Sequence, residues 1–355
     1  MAAAISIQRV NRVFPPAQCA LDLFCGCGGL TLGLKQAGFH VVWAVDEDSL
    51  SVETYRINHP EVLVRETDIR RLDANEVRSE LGLARGELGL LAGCPPCEGF
   101  STLRTLNGSK RVTEAKNDLV LEFLRFIHAF EPRAIMLENV PALANDERFA
   151  VLLQDLSAMG YRAEHRILNA ADYGVPQRRR RLIVLAGRSS AIPFAVPDPN
   201  RRTVRDAIGG LRGVGRSGDP LHDLRAHRKV SVRRLIRSIP ANGGSRLALG
   251  ETKQLACHRE CDGFRDIYGR MAWDETAPTI TSGCINPSKG RFLHPSRHRA
   301  VTLREAALLQ TFPGDYVFSL RRGKYAVADL IGNALPPEFV RRHAGRVYDF
   351  LSATA

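Results

Sequence analysis

Short apolar runs recur through the first half of the chain, separated by stretches that read as helices and turns. Ala20-Leu21-Asp22-Leu23-Phe24 is the first run, and His40 to Val45 and Val62 to Val64 follow. Glu87 to Ala92, Ala134 to Leu137, Tyr161 to Leu168 and Leu182 to Ala186 complete the series. Runs this short and this apolar predict buried strands. Leu30 to Ala37, Asn117 to Phe130 and Glu147 to Met159 read as helices; in the second, Leu119, Val120, Phe123, Leu124 and Ile127 form one apolar face. Strands alternating with helices predict an α/β fold on an open, doubly wound sheet.

The pattern changes after Gly187. Pro193, Pro197 and Pro199 mark a linker, and Arg201 to Ile285 has weak periodicity, many arginines and Gly-Gly pairs at 209–210 and 243–244. This predicts a smaller, irregular, loop-rich second domain. Helical patterning returns at Thr302 to Gln310, where Thr302 as N-cap and Glu305 three residues on spell a capping box. Ala326 to Leu330 and then Gly332-Asn333-Ala334-Leu335-Pro336-Pro337 open a helix expected to run to Phe350. The expected boundaries are therefore 1–187, 188–300 and 301–355, with the last segment returning to the first domain.

A chain of 355 residues buries one large core and a second, smaller one. It has no run of 18 apolar residues, so no membrane span is expected. The apolar start, Met1 to Ile7, is short and followed by Arg9 and Arg12, a poor signal peptide. Eight scattered cysteines make no disulfide framework and point to a reducing cytosol. The net charge of +12 is concentrated: residues 188–300 carry 21 Lys and Arg against 10 Asp and Glu, an excess of 11. A basic module on a near-neutral body suggests a polyanionic partner, nucleic acid first, against the competing reading of a solvated basic surface.

The candidate chemistry sits at the ends of the runs. Cys25-Gly26-Cys27-Gly28-Gly29 follows the first strand and precedes a helix, the arrangement that brings backbone close to a nucleotide. Asp46 ends the next strand, where an acid takes ribose hydroxyls, and Asp68-Ile69 follows the third, placed for an adenine edge. Gly93-Cys94-Pro95-Pro96-Cys97-Glu98-Gly99-Phe100-Ser101 is a stiff loop that presents the Cys97 thiol at a strand end. Cys97 is a candidate nucleophile; a buried structural cysteine and a metal or redox pair with Cys94 are the alternatives. Thr102 to Lys116 reads as a polar loop. Glu138 ends the fifth strand, with Pro141 stiffening its exit. In Gln177-Arg178-Arg179-Arg180-Arg181, β geometry puts Arg179 and Arg181 on one face and Arg178 and Arg180 on the other. Cys257, His258 and Cys261 lack an evident fourth ligand, so no metal is expected.

Taken in order, these motifs closely resemble the cytosine-C5 DNA methyltransferases, of the bacterial restriction–modification or orphan type, over nearly the whole chain. Asp22 to Gly29 resembles the family's S-adenosylmethionine loop, Pro96-Cys97 its nucleophile motif and Glu138-Asn139-Val140 its acid motif. Gln177, Arg179 and Arg181 match a Gln-x-Arg-x-Arg motif, and Arg304-Glu305 and Gly332-Asn333 the two motifs after the variable target-recognition region. The resemblance departs at Cys94, where the family has Gly, and at Glu98, where it has Gln.

It implies a methyltransferase sheet over 1–187, a target-recognition domain over 188–300, and a hinge and C-terminal helix over 301–355. The cofactor S-adenosylmethionine would be held by Phe24, Gly26, Gly28, Gly29 and Asp46, with Asp68, Ile69, Leu119 and Asn333. Cys97 would add to C6 of a flipped-out cytosine in duplex DNA. Glu138, its proton affinity raised by burial, would protonate N3, and Arg179 and Arg181 would hold the base and nearby phosphate. A monomer of the bacterial cytosol, associated with the nucleoid, is implied, with a cognate restriction endonuclease acting separately as a further partner. A tRNA-methylating relative and a catalytically inactive DNA-binding regulator are the competing readings.

Overall fold

The computed structural model describes residues 14–96, 118–188, 190–224, 226–250 and 266–354. The chain divides into two compact units: Met1–Asn169, Arg180–Val196 and Pro337–Ala355 form the first, and Ala170–Arg179 with Pro197–Pro336 the second.

Seven strands make the sheet of the first unit: β1 (Cys19–Leu23), β2 (His40–Asp46), β3 (Leu63–Glu66), β4 (Leu90–Gly93), β5 (Ala134–Asn139), β6 (Tyr161–Asn169) and β7 (Arg180–Arg188). Their order is β3-β2-β1-β4-β5-β7-β6. The first five run parallel, and β7 is antiparallel to both β5 and β6. All five residues of β1 are buried, as a central strand covered on both faces requires. Helices α1 (Gly29–Gln36), α2 (Ser49–Asn58), α3 (Ala74–Glu80), α4 (Leu119–Phe130) and α5 (Glu147–Ala158) accompany the strands. The last four of these follow an aspartate, and Asp48, Asp73 and Asp146 cap α2, α3 and α5 by accepting from backbone amides of the first turn. The apolar face anticipated for α4 is the one buried, with Phe123, Phe126 and Phe130 in the main core and Trp43 of β2 stacked 6.1 Å from Phe126.

The strand limits depart from the apolar runs, by up to a few residues at an end. The third strand is Leu63–Glu66, carried past Val64 by its pairing with β2. The fourth begins only at Leu90, because Glu87 turns back to accept from the Ala84 amide at 2.7 Å and the Gly89 amide donates to Pro16 O at 3.0 Å.

The second unit is as irregular as its sequence. It holds α6 (Val204–Ile208), α7 (Pro220–Asp223), α8 (Val230–Ser238), α9 (Leu303–Leu309) and α10 (Gly323–Asn333), with isolated bridges instead of a sheet among the described residues. The Thr302–Glu305 capping box is present: Thr302 Oγ1 accepts from the Glu305 amide at 3.1 Å, and Glu305 accepts from the Thr302 amide at 2.8 Å. The helix expected from Ala326 to Phe350 is two helices, α10 and α11 (Pro337–Ala353). The Pro336-Pro337 step forces the residue before it out of the helical region and separates them.

Packing thus divides the chain differently from composition. Residues 170–179 go with the second unit because the Arg178 amide donates to Ala277 O and Gln177 Oε1 accepts from the Ile280 amide. Residues 180–196 stay with the sheet, as β7 and as Phe194, whose ring meets His343 of α11 edge-on at 5.8 Å. Residues 301–336 stay with the second unit, and only α11 returns to the first. It lies directly on α1: a Cβ on Gly33 would fall 2.4 Å from Val340 Cβ and 2.5 Å from Pro337 O, so this crossing admits only glycine. No described helix is long and apolar enough to cross a membrane.

Candidate active site

Because β1, β2, β4 and β5 are parallel, the loops that leave their carboxyl ends emerge at one edge of the sheet, where open α/β folds bind ligands. The strand order reverses between β1 and β4, so the turn after β1 and the Cys94-Pro95-Pro96 segment after β4 are neighbours. The Cys94 amide donates to Leu23 O at 3.2 Å.

The turn after β1 is fully formed. Phe24, Gly26 and Gly28 all have positive φ, at 63°, 52° and 94°. The Cys25 amide donates to Val45 O at 3.0 Å, and the Gly28 amide to Cys25 O at 2.9 Å. The Gly26 amide donates to Asp46 Oδ2 and the Asp48 amide to Asp46 Oδ1, both at 2.9 Å. Burial raises the Asp46 carboxyl above its usual range against the pull of these amides. A carboxylate has about four acceptor positions, so two remain for a pair of hydroxyls.

Beneath this turn lies Asp22, which the sequence analysis passed over as part of a motif. Its Oδ2 accepts from Thr31 Oγ1 at 2.7 Å, and Thr31 in turn meets Tyr55 OH at 2.8 Å. Its Oδ1 is buried without a hydrogen-bond partner among the described residues. Burial pushes this carboxyl up to about 7. An acceptor left open beneath a glycine turn fits a ligand that carries a positive group. Further along, Asp68 caps the short turn Ile69–Arg71 and is gripped by Arg70, at 2.6 Å from Nη2, which holds its carboxyl below the usual range. Ile69 and Leu119 are buried in one core cluster, and Arg125 of α4 ties the turn down by donating to Ile69 O and Leu72 O.

Glu138 is buried at the end of β5 and is not an isolated acid: Arg181 Nε lies 2.8 Å from its Oε1. Strand register places a second group beside it. Gly93 pairs with Leu137, so Cys94 follows alongside Glu138, and the Cys94 thiol donates to the Glu138 carboxylate. Burial, with the charges of Glu138 and Asp22, pushes that thiol well above its ordinary range. Asn139 Nδ2 donates to Pro95 O at 3.0 Å, which fastens the proline loop to the acid-bearing strand. Gly93 leaves no room for a side chain, with Phe123 Cε2 2.8 Å and Leu23 O 2.9 Å from a would-be Cβ. Cys97, Glu98 and the polar 102–116 loop lie outside the described residues, as do Cys257, His258 and Cys261. Among the described residues no three His, Cys, Asp or Glu side chains gather to hold a metal ion.

The arginine run alternates as β geometry requires: Arg178 and Arg180 are exposed, while Arg179 is buried and Arg181 half-buried. The inward pair has two different fates. Arg181 meets Glu138, whereas Arg179, in the second unit, donates to Ile280 O at 3.1 Å and Gly332 O at 3.0 Å. Gln177 joins the same network through Gln310 Oε1 at 2.8 Å and Leu309 O at 3.2 Å. Gln310, which the sequence reading did not single out, goes on to Ile331 O at 2.6 Å. Arg179 thus braces the end of α10. Asn333, at that helix end, is exposed and lends a carbonyl to Arg179.

A glycine turn, a strand-end acid beside it and a braced carboxylate, all on the carboxyl edge of a mostly parallel sheet, define a cofactor-dependent α/β enzyme. Over residues 19–349 the chain matches the family described as C-5 cytosine-specific DNA methylase. It is 37% identical over 345 residues to the Type II methylase M.HgiDII of Herpetosiphon aurantiacus, with 93% of this chain and 95% of that one covered. It is 31% identical over 326 residues to the Type II methyltransferase M1.HphI of Haemophilus parahaemolyticus, covering 89% and 83%. Among solved structures, the fold is similar to a prophage-encoded DNA modification methyltransferase (E. coli), with a TM-score of 0.72, 23% identity, and 94% and 99% coverage. The chain belongs to the C-5 cytosine-specific DNA methylase family. It is a DNA (cytosine-5)-methyltransferase, and its methyl donor is S-adenosylmethionine.

Proposed function

We propose that this chain methylates C5 of a cytosine flipped out of a specific duplex DNA sequence, with Cys97 as nucleophile and Glu138 as acid. The observation that carries the reading is Glu138, fixed by Arg181 at the carboxyl end of β5 one strand from the Cys94-Pro95-Pro96 loop that leads to Cys97. C5 of cytosine is a poor nucleophile. Addition of the Cys97 thiolate to C6 moves the C5–C6 π electrons onto C5 and towards N3, where a proton from Glu138 neutralises the developing charge. S-adenosylmethionine, when bound by the Phe24–Gly29 turn, Asp46, Asp68 and the Ile69–Leu119 wall, supplies the methyl group. Loss of the C5 proton to a base then restores the C5–C6 double bond as the Cys97 thiolate leaves, and the N3 proton returns to Glu138.

The target atom is inaccessible inside a duplex, so the base is extruded at about a few kcal/mol. The basic 188–300 region supplies phosphate contacts and base-edge reading, and Arg179 acts by bracing the α10 end. The enzyme works as a monomer in the bacterial cytosol, with any partner endonuclease acting separately.

The deciding experiment uses duplex DNA carrying 5-fluorocytosine at the target, from which the C5 substituent cannot leave as a cation. The wild-type protein is expected to form a denaturant-stable adduct on it, and Cys97→Ser to form none and to transfer no methyl while still binding S-adenosylmethionine. Methylation of tRNA but not duplex DNA, or an active serine variant, would overturn the reading.

A further inference from the structure

We propose that Lys229, at the N-cap of α8, and Arg233 and Arg237 along it form a sequence-independent clamp on the phosphate backbone of the DNA. The inference rests on DNA being the substrate. The inner face of α8 is fixed: Val232, Leu235 and Ile236, with Ile239 just beyond, pack against Leu293, Leu249 and Tyr268. Its carboxyl end is held by a buried guanidinium. Arg270 donates to Ile236 O at 2.7 Å, to Ile239 O at 3.1 Å and to His294 O at 3.0 Å. A cation on the last carbonyls of a helix also complements its dipole.

The outer face carries Lys229, Arg233, Arg234 and Arg237, all exposed. Arg233 and Arg237, four residues apart on α8, align on one side about 6 Å from each other, with Lys229 at the N-cap four residues before Arg233. Some other arginines of this unit are neutralised: Arg205 by Asp274 at 2.7 Å, Arg291 by Asp266 at 2.9 Å and Arg299 by Glu305 at 2.6 Å. The row on α8 makes no ion pair among the described residues, and the sequence has no acidic residue from Leu224 to Gly250. Like charges four residues apart on a helix repel, so the row weakens the free protein. A rigid helix with an unneutralised cationic edge is therefore complementary to a stiff polyanion. Ammonium and guanidinium groups mixed in one row suit phosphates, which accept either, better than base edges, which distinguish donor geometry.

The test compares the wild type with Lys229→Ser/Arg233→Ser/Arg237→Ser and with the charge-retaining Lys229→Arg/Arg233→Lys/Arg237→Lys. Dissociation constants are measured on the methylated duplex and on one with an altered site, between about 50 and 200 mM salt. Three phosphate contacts contribute about 2.7 to the slope of log K on log salt, so across this range the serine variant should lose about 40-fold less affinity than the wild type. It should weaken on both duplexes alike, methylate the same cytosine, and keep its rate at saturating DNA and low salt. The charge-retaining variant should keep the wild-type slope. An unchanged slope in the serine variant, a shifted methylation site, a lost rate at saturation, or a shallow slope in the charge-retaining variant would each overturn the clamp. Methyl transfer to duplex DNA by the wild type checks the underlying reading separately, and its absence would remove both.

Discussion

Arg181 and Glu138 meet diagonally across the β5–β7 pair: Ile183 is the register partner of Glu138, and Arg181, two residues away on the same face, reaches it at 2.8 Å. Both side chains are largely buried, so removing one partner strands a charge. Arg181→Met should lose about 3 kcal/mol of stability in urea unfolding. Adding Glu138→Gln should restore most of the loss, because the stranded charge is gone. A double variant no more stable than the single one would show that the two side chains do not act as a pair.

Cys94 is a positioning residue for Glu138. Cys94→Ala removes the thiol donor and should slow single-turnover methyl transfer by about tenfold, the worth of one hydrogen bond to a charged group. The KM for DNA should not change. Cys94→Ser keeps a donor and should recover most of the rate. Equal rates for wild type and both variants would show the thiol to be a bystander.

Asp22 makes stability depend on pH in one direction. Its folded carboxyl holds a proton up to about pH 7, above the ordinary range of an unfolded aspartate. The stabilisation is whole below about pH 4 and is lost as pH rises through about 7, amounting to about 4 kcal/mol. The unfolding free energy of Asp22→Asn relative to wild type should therefore climb between these limits and then level off. A difference constant with pH would mean that Asp22 titrates alike in both states.

Three buried histidines act in the opposite direction. Burial lowers His59 and His294 to about 4 and His343 to about 3. Their contribution is present above about pH 6.5 and fails as pH falls, by about 2 kcal/mol each at pH 5. His343→Gln, uncharged throughout, should remove about one third of that acid loss in denaturation series at pH 5 and pH 7. An undiminished acid loss would place the lability elsewhere.

The parallel sheet and the Thr302–Glu305 cap were legible in sequence because each rests on contacts local to the chain. The alternation of Arg178 to Arg181 was legible for the same reason. What local pattern could not supply was the recipient of each inward arginine: Arg181 finds a carboxylate on β5, while Arg179 finds carbonyls at Ile280 and Gly332. Cys94 stood out as a departure from the family, but its spacing to Cys97 pointed to metal or redox chemistry. Strand register, a nonlocal property, is what sets it beside Glu138. Composition shifts at the prolines, whereas the compact units follow the hydrogen bonds of Gln177 to Arg179.

The contact of Gly33 with Val340 and Pro337 joins an early helix to the last one, with the whole second unit between them in sequence. In synthesis the surface of α1 at Gly33 is therefore made long before the α11 residues that close on it. Contacts of such separation form late.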